Sequence, residues 1–346
     1  MEGVMGRVAK TPTATELMRI LDAVYDVQRP KEEWFSGLLR SAAPILDQGA
    51  GIGGLLYDIA NEEQINVEFI EGIDVPAGWR QAGLAIHHDP RFIPKVIASY
   101  RSSLCATLPQ LLADPDAFER LQRDYYDRHA VRGQIMINGV DSSGKGCLIN
   151  LFASKPIAIS DGQRDLLVRL ATHLSTAYRL QRRLADHAGP PFVGVAAVLT
   201  PEGRLEHAET DAQSTAARQH LAHAVRRRER ARTFADMDAQ RVMRSLKGMV
   251  SARWTLVDHY EHSGRRYVLA RENAPTPVGP VQLSLRERQV VSLATLGRSN
   301  KLIAYELGLA SSTIRVLMAR ACAKLGVATR SELIAKQRRT TGPITN

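Results

Sequence analysis

Residues 283–335 read LSLRERQVVSLATLGRSNKLIAYELGLASSTIRVLMARACAKLGVATRSELIA, and this stretch decides the C-terminal fold. Ser284-x-x-Glu287 is a capping box: the serine oxygen takes a free backbone N–H, and the glutamate reaches back to the serine's own N–H. The helix it opens turns Leu285, Val290, Val291 and Ala294 toward one side. Gly297 stops that helix, and Ser299 is placed to cap a second one, Asn300 to Leu307, which ends at Gly308. After the tight turn Leu309-Ala310-Ser311 a third helix runs to about Leu325. Ile314, Met318, Ala321, Cys322 and Leu325 form its apolar stripe. Its other face carries Ser312, Arg315, Val316, Ala319, Arg320 and Ala323. A short helix, a tight turn and a basic helix with a small, polar outer face make a helix-turn-helix unit.

Charge points the same way. The 346-residue chain has a net charge of +10. From Leu283 to Asn346 eleven Lys or Arg stand against three acids, Glu287, Glu306 and Glu332, a net of +8. The rest of the chain is nearly balanced. Charge focused in this way is the footprint of a polyanionic partner, usually nucleic acid.

The stretch Leu283 to Lys336 resembles the LuxR/NarL/FixJ type of four-helix DNA-binding domain. The resemblance rests on Arg286-Glu287-Arg288, the Gly297/Ser299-Asn300-Lys301/Ile303-Ala304 run, Leu307-Gly308, Thr313-Ile314-Arg315 and Lys324-Leu325-Gly326-Val327. It implies that Arg315 and Val316 face bases, with Ser312 and Ala319 on the same surface. Thr313, Arg320 and Lys324 would approach the DNA backbone, together with Asn300 and Lys301. A fourth helix, opened by Arg330-Ser331-Glu332-Leu333, commonly forms the dimer contact in that family. Departures fall on Leu317, where His is common, on Ala319, where some members place a base-reading Lys, and on Ala310-Ser311 in place of Ser-Pro. These departures bear on base preference, not on fold.

Upstream, Met1 to Ala14 reads as a disordered tail. Helical patterning at about 15–28 and 31–43 is followed by β-type stretches at 52–60 and 65–70. A Pro-rich, mostly helical region then runs to about His129, and a strand pair, 131–140 with 146–153, flanks Asp141-Ser142-Ser143-Gly144. Ser160-x-x-Gln163 caps a long helix. Its Leu167, Leu170, Leu174, Ala177, Gln181 and Leu184 repeat at 3-4 spacing, a seam that packs either on its own sheet or on a second copy. Gly189-Pro190-Pro191 marks a boundary. Residues 15–187 resemble a GAF sensor domain ending in a long signalling or dimer helix. Residues 190–273 resemble a shortened PAS unit, and 274–282 form a linker to the helix-turn-helix domain at 283–338. The expected fold is therefore α+β and multidomain: a GAF-like antiparallel sheet, a smaller PAS-like unit, and an all-α C-terminus.

Several motifs fail on context. Gly49-Ala50-Gly51-Ile52-Gly53-Gly54 matches GxGxxG but leads into a strand, where no helix N-terminus meets a pyrophosphate. Gly139 to Lys145 nearly spells a P-loop, yet Gly146 stands where Mg²⁺ needs Ser or Thr and a strand follows. His220-x-x-His223 lacks further metal ligands, and the adjacent Arg226, Arg227, Arg228, Arg230 and Arg232 suggest an exposed face. No phosphoreceiver pattern and no catalytic constellation stands out. Cys105, Cys147 and Cys322 lie far apart, which excludes a disulfide framework and fits a reducing, cytoplasmic setting.

The reading is a bacterial-type transcription regulator rather than an enzyme, with no cofactor or metal. Its expected partners are double-stranded DNA, a second copy of the chain, a small-molecule ligand and RNA polymerase, and no membrane. Trp79, His87, His88 and Cys105 are the candidate ligand-pocket residues. The competing readings are a scaffold that only dimerises, a catalytic GAF-like domain, and a quorum-type lactone receptor, suggested by Pro76-x-x-Trp79 and Asp89-Pro90.

Overall fold

A computed structural model describes residues 7–9, 11–61, 63–112, 114–141, 143–185, 195–209, 212–233, 238–245, 254–260, 266–272, 283–325 and 327–340. Contacts divide the chain into two units, Met1–Asp186 with Asp236–Gln240, and His187–Ala235 with Arg241–Asn346.

In the first unit the expected tail is partly ordered. Arg7–Val8 (β1) pair in parallel with Ile157–Ala158 (β7), and Ala9 is buried. Thr13 then caps α1 (Ala14–Val24): Glu16 N–H donates to its hydroxyl at 3.3 Å, and Thr13 N–H donates to the Glu16 carboxylate at 2.8 Å. That box is as local as those at Ser160 and Ser284; what nothing local announces is the pairing of β1, whose partner lies about 150 residues away. α2 (Lys31–Leu46) follows, and Asp47 turns the chain by accepting the Gly49 and Gly51 N–H groups, both at 2.9 Å.

The glycine run then shows its purpose. Gly51 has φ +83°, and a Cβ there would lie 2.3 Å from Asp74 O. Gly53 and Gly54 lie in β2 (Ile52–Asp58), and successive strand residues face opposite sides. A Cβ on Gly53 would meet the Trp79 ring at 2.2 Å, and one on Gly54 the Phe35 ring at 2.7 Å. The missing side chains let one helical layer settle on each face of the sheet. With β3 (Asn66–Ile73), β4 (Cys105–Thr107), β5 (Gly133–Val140) and β6 (Lys145–Ala153), β2 forms an antiparallel sheet in the order β3-β2-β6-β5-β4. The near-P-loop is the β5–β6 hairpin turn, with Gly144 at φ +86° and Asp141 Oδ1 accepting the Ser143 N–H at 2.8 Å.

One face carries α1, α2 and α7 (Asp161–Ala185). Ser160 and Gln163 cap α7 reciprocally: Gln163 N–H donates to Ser160 Oγ at 3.3 Å and Ser160 N–H to Gln163 Oε1 at 2.9 Å. Leu170, Leu174 and Ala177 are buried against β5, β6 and α1. The seam expected of a dimer helix is thus occupied within its own unit, since the sheet offers apolar area that would otherwise face water. The other face carries α3 (Trp79–His88) and α4 (Ile93–Ser102), with α5 (Leu108–Leu112) and α6 (Pro115–Leu121) beyond them.

The second unit holds β8 (Val195–Leu199), β9 (Leu205–Ala208), α8 (Thr215–Thr233), the part of α9 (Ala239–Ser245) from Arg241 on, β10 (Trp254–Tyr260) and β11 (Arg266–Glu272). Its antiparallel order is β10-β11-β8-β9, and Leu221, Ala224 and Val225 of α8 pack on Leu199, Leu256 and Val268. The arginine run on α8 is not uniformly exposed. Arg226 and Arg230 face solvent, whereas Arg228 is buried and donates to Asp258 Oδ2 at 2.6 Å. Helical geometry puts residue 228 on the sheet side, and the carboxylate on β10 makes the burial tolerable. The Gly189-Pro190-Pro191 boundary and the 274–282 linker lie outside the described residues.

Candidate nucleic-acid interface and the cavity of the first unit

Four helices build the C-terminal site: α10 (Leu285–Thr295), α11 (Asn300–Glu306), α12 (Ser311–Leu325) and α13 (Arg330–Thr340). Both halves of the Ser284/Glu287 capping box are formed. Ser299 Oγ accepts the Leu302 N–H at 3.2 Å, and Gly297 and Gly308 end their helices at φ +76° and +64°. Val290, Val291, Ala294, Ile303, Ile314, Ala321 and Leu333 form the core, and every residue of the expected apolar stripe on α12 is buried. The chain bends by 105° between α11 and α12, within the roughly 90–120° of a helix-turn-helix. The Tyr305 hydroxyl, at the end of α11, donates to Met243 O at 2.9 Å and so ties α11 to α9 within the second unit.

The outer face of α12 presents Ser312, Thr313, Arg315, Val316, Ala319, Arg320 and Lys324 to solvent. Val316 is 49% exposed and is the only exposed large apolar side chain among the described residues. Lys301 is exposed at the start of α11, and Asn300 is half-buried there. Beside this face a concavity of about 450 Å³ is lined by Asn300, Arg315, Ala319 and Arg330, among others. Arg330 donates to Asn300 Oδ1 at 3.3 Å and also to the Arg298 carbonyl, so it orients Asn300. Sequence reading assigned Arg330 only to the helix start; its reach back to α11 is a tertiary fact.

Lys324 has a second engagement that sequence reading missed. Its Nζ donates to Glu287 Oε2 at 2.7 Å, and the same carboxylate oxygen accepts the Ser284 N–H at 2.7 Å. Burial works to raise the Glu287 carboxyl, but the Lys324 and Ser284 hydrogen bonds outweigh it and hold the group below its ordinary value.

The candidate pocket residues separate. Trp79 and His87 line a cavity of about 60 Å³ between the sheet and α3 and α4, with Tyr100, Gln134, Met136 and Asn150. His87 is held by Gly83 O at 2.5 Å and the Tyr100 hydroxyl at 2.7 Å, and burial pushes its pKa down to about 4. His88 instead points to solvent, one helix position on, with Nδ1 2.8 Å from Leu84 O. Cys105 is buried on β4 away from the cavity, and burial raises its thiol to about 12, so it is unreactive. Gln134 and Asn150 were legible in principle, because 134/136 on β5 and 148/150/152 on β6 alternate onto one face. His220, near the Trp254 ring, and His223 are both exposed, and no group of three metal-ligating side chains occurs among the described residues.

Residues 281–336 match the family described as bacterial regulatory proteins, luxR family. The C-terminal segment is a LuxR-type DNA-binding domain. Among solved structures, that of Escherichia coli SdiA aligns with 92% of this chain and 95% of that chain, at 10% identity and a TM-score of 0.32. No curated protein matches the chain in sequence. The LuxR-type domain makes the chain a DNA-binding transcription regulator of bacterial type. Among the described residues no single helix is long and apolar enough to cross a membrane.

Proposed function

We infer that this regulator reads a specific DNA sequence as a dimer, and that occupancy of the first unit's cavity by a small molecule biases that binding. The DNA-reading part rests on the outer face of α12, where Arg315 and Ala319 flank the exposed Val316. An apolar side chain held in water between a guanidinium and a small residue suits the floor of a major groove. Arginine pairs bidentately with guanine O6 and N7 there, and a methyl-bearing side chain meets the thymine methyl. The sensing part rests on the cavity beside Trp79 and His87; a ligand acts only through a difference in affinity between domain arrangements.

A site selected from random DNA provides the test for the first part. Arg315→Ala should lose about 1–3 kcal/mol on the selected site and little on scrambled DNA. Lys301→Ala should weaken both equally and flatten the salt dependence by about one released ion. Equal proportional losses in both variants on both sequences make Arg315 another phosphate contact and overturn its base-reading role. The small cavity volume of about 60 Å³ favours a second reading, in which the first unit is a filled scaffold. Ligand binding by the full chain distinguishes the two.

A further inference from the structure

In the second unit a concavity of about 830 Å³ opens between the β8–β9 turn, α8 and the start of β11. Its wall carries His223, Arg226, Arg230 and Arg266, with Glu202 and Glu229. α8 holds six arginines against one acid, Glu229, and such a run is ordinarily a solvated face. The partner of each charge decides otherwise here. Glu229 accepts from Arg232 at 3.2 Å and from Arg266, while Asp258 accepts from Arg228 and Arg232, both at 2.6 Å. Three cations thus surround two anions, and none of that negative charge is left for Arg226. Backbone holds Arg226 instead. Gly203, at φ +81°, brings the β8–β9 turn so close to α8 that a Cβ there would lie 2.8 Å from Ala222 O and 3.1 Å from Arg226 Cγ and Nε. With its stem against that turn, Arg226 donates Nε–H to Glu202 O at 3.0 Å. Its two Nη groups form no hydrogen bond or ion pair among the described residues. A guanidinium anchored through Nε keeps its Nη edge for an oxyanion, which it can grip with two hydrogen bonds. Arg230 is exposed one turn further on, and its Nε donates to the Arg226 carbonyl at 3.4 Å. The local field is positive: burial lowers the Arg227 pKa, and Arg230 beside it lowers it further.

Exposure sets the chemistry of the occupant. A single exposed ion pair contributes only about 0–1 kcal/mol, so a monoanion gains little here. Among the described residues Pro201 is the only apolar side chain on the wall, which offers no floor for an apolar body. Dense charge that reaches Arg226 and Arg230 together is what the site favours. We propose that this concavity binds a small anion with adjacent phosphoryl groups, of the pyrophosphate type, anchored on the Nη edge of Arg226 with Arg230 and His223 alongside. Glu202 at the rim opposes it, because the Thr200 hydroxyl bonds its carboxylate and keeps that group below its ordinary value, and so charged. None of these residues belongs to the first unit's cavity or to the outer face of α12, so the proposal stands apart from both.

Calorimetry on the full chain, with inorganic pyrophosphate and inorganic phosphate at one ionic strength, tests this. Pyrophosphate should bind at least about 5-fold more tightly than phosphate. Arg226→Gln should weaken pyrophosphate about 3- to 10-fold. Glu202→Gln removes the opposing charge but keeps the carbonyl that holds Arg226, and should tighten binding about 2- to 3-fold. Lys301→Ala, in the DNA-binding domain, should leave pyrophosphate binding unchanged. Equal affinity for the two anions, or binding that neither Arg226→Gln nor Glu202→Gln alters, overturns the proposal. A loss in Lys301→Ala without one in Arg226→Gln puts the anion on the DNA-binding face and overturns it too. Should Arg226→Gln spare pyrophosphate and instead flatten the salt dependence of duplex binding by about one released ion, Arg226 is a DNA-backbone contact and the anion site falls. Tighter binding by Glu202→Gln cannot come from misfolding, so the test survives an Arg226 variant that fails to fold.

Discussion

Lys324 shows how one side chain can serve fold and function at once. Family resemblance assigns it to a phosphate, yet its ammonium also neutralises Glu287, a carboxylate that anchors the N-terminus of α10. Removing the lysine leaves a buried anion with fewer partners, the costly half of a broken pair. Because Lys324 is partly exposed, the loss should be modest. Lys324→Met is expected to destabilise the C-terminal domain by about 1 kcal/mol, a drop of roughly 4–8 °C in its melting midpoint. Adding Glu287→Gln should restore part of that loss, since a neutral amide still accepts the Ser284 N–H. An unchanged midpoint with a flatter salt dependence of DNA binding makes Lys324 a phosphate contact alone.

At the scale of elements, α7 is the instructive case. Its leucines repeat at the spacing of a helix pair, but the packing decides in favour of the sheet. Gly139 on β5 lets the helix approach so closely that a Cβ there would lie 2.5 Å from Ser175 N. Leu170 and Leu174 are 1% and 0% exposed, so acidic side chains at these positions would be buried without partners. Leu170→Glu with Leu174→Glu should therefore cost more than about 4 kcal/mol and unfold the first unit. Circular dichroism melts and sedimentation of the full chain read this directly. A double variant that keeps its melting transition and merely loses self-association returns α7 to the role of a dimer helix.

Across the whole molecule, two histidines on opposite faces of one sheet set the acid limit. Burial lowers His87 to about 4 and His173, whose Nδ1 lies 2.8 Å from the Tyr25 hydroxyl, to about 3. An unfolded histidine titrates near 6.5. Between these values the unfolded chain binds more protons than the folded one, so stability is full above about 6.5 and falls as pH drops toward 4. Each ring contributes a slope of up to about 1.4 kcal/mol per pH unit in that window. The melting midpoint should fall between pH 6.5 and 5, where Glu68 and Glu287, both held below their ordinary values, still keep their charge. His173→Gln should flatten that fall. A midpoint that is constant from pH 7 to 5 contradicts the buried, neutral state of both rings.

Local signals made much of this protein legible in its sequence. Capping boxes at Ser160/Gln163 and Ser284/Glu287, glycine stops at 297 and 308, and the apolar stripe of α12 act over three or four residues, so they read directly. The same holds for the hairpin hidden in the near-P-loop, because a turn is a local object. What stayed hidden depends on contacts distant in sequence. The pairing of residues 7–8 with 157–158, the bond from Lys324 back to Glu287 and the reach of Arg330 to Asn300 each join separate elements. Adjacent His87 and His88 have the same composition and local context, yet helix rotation sends one to the cavity and the other to water. The repeat on α7 specified an apolar face but not its partner, because sheet and second helix demand the same residues. Only the folded sheet, presenting glycine at 139 beneath that face, decided between them.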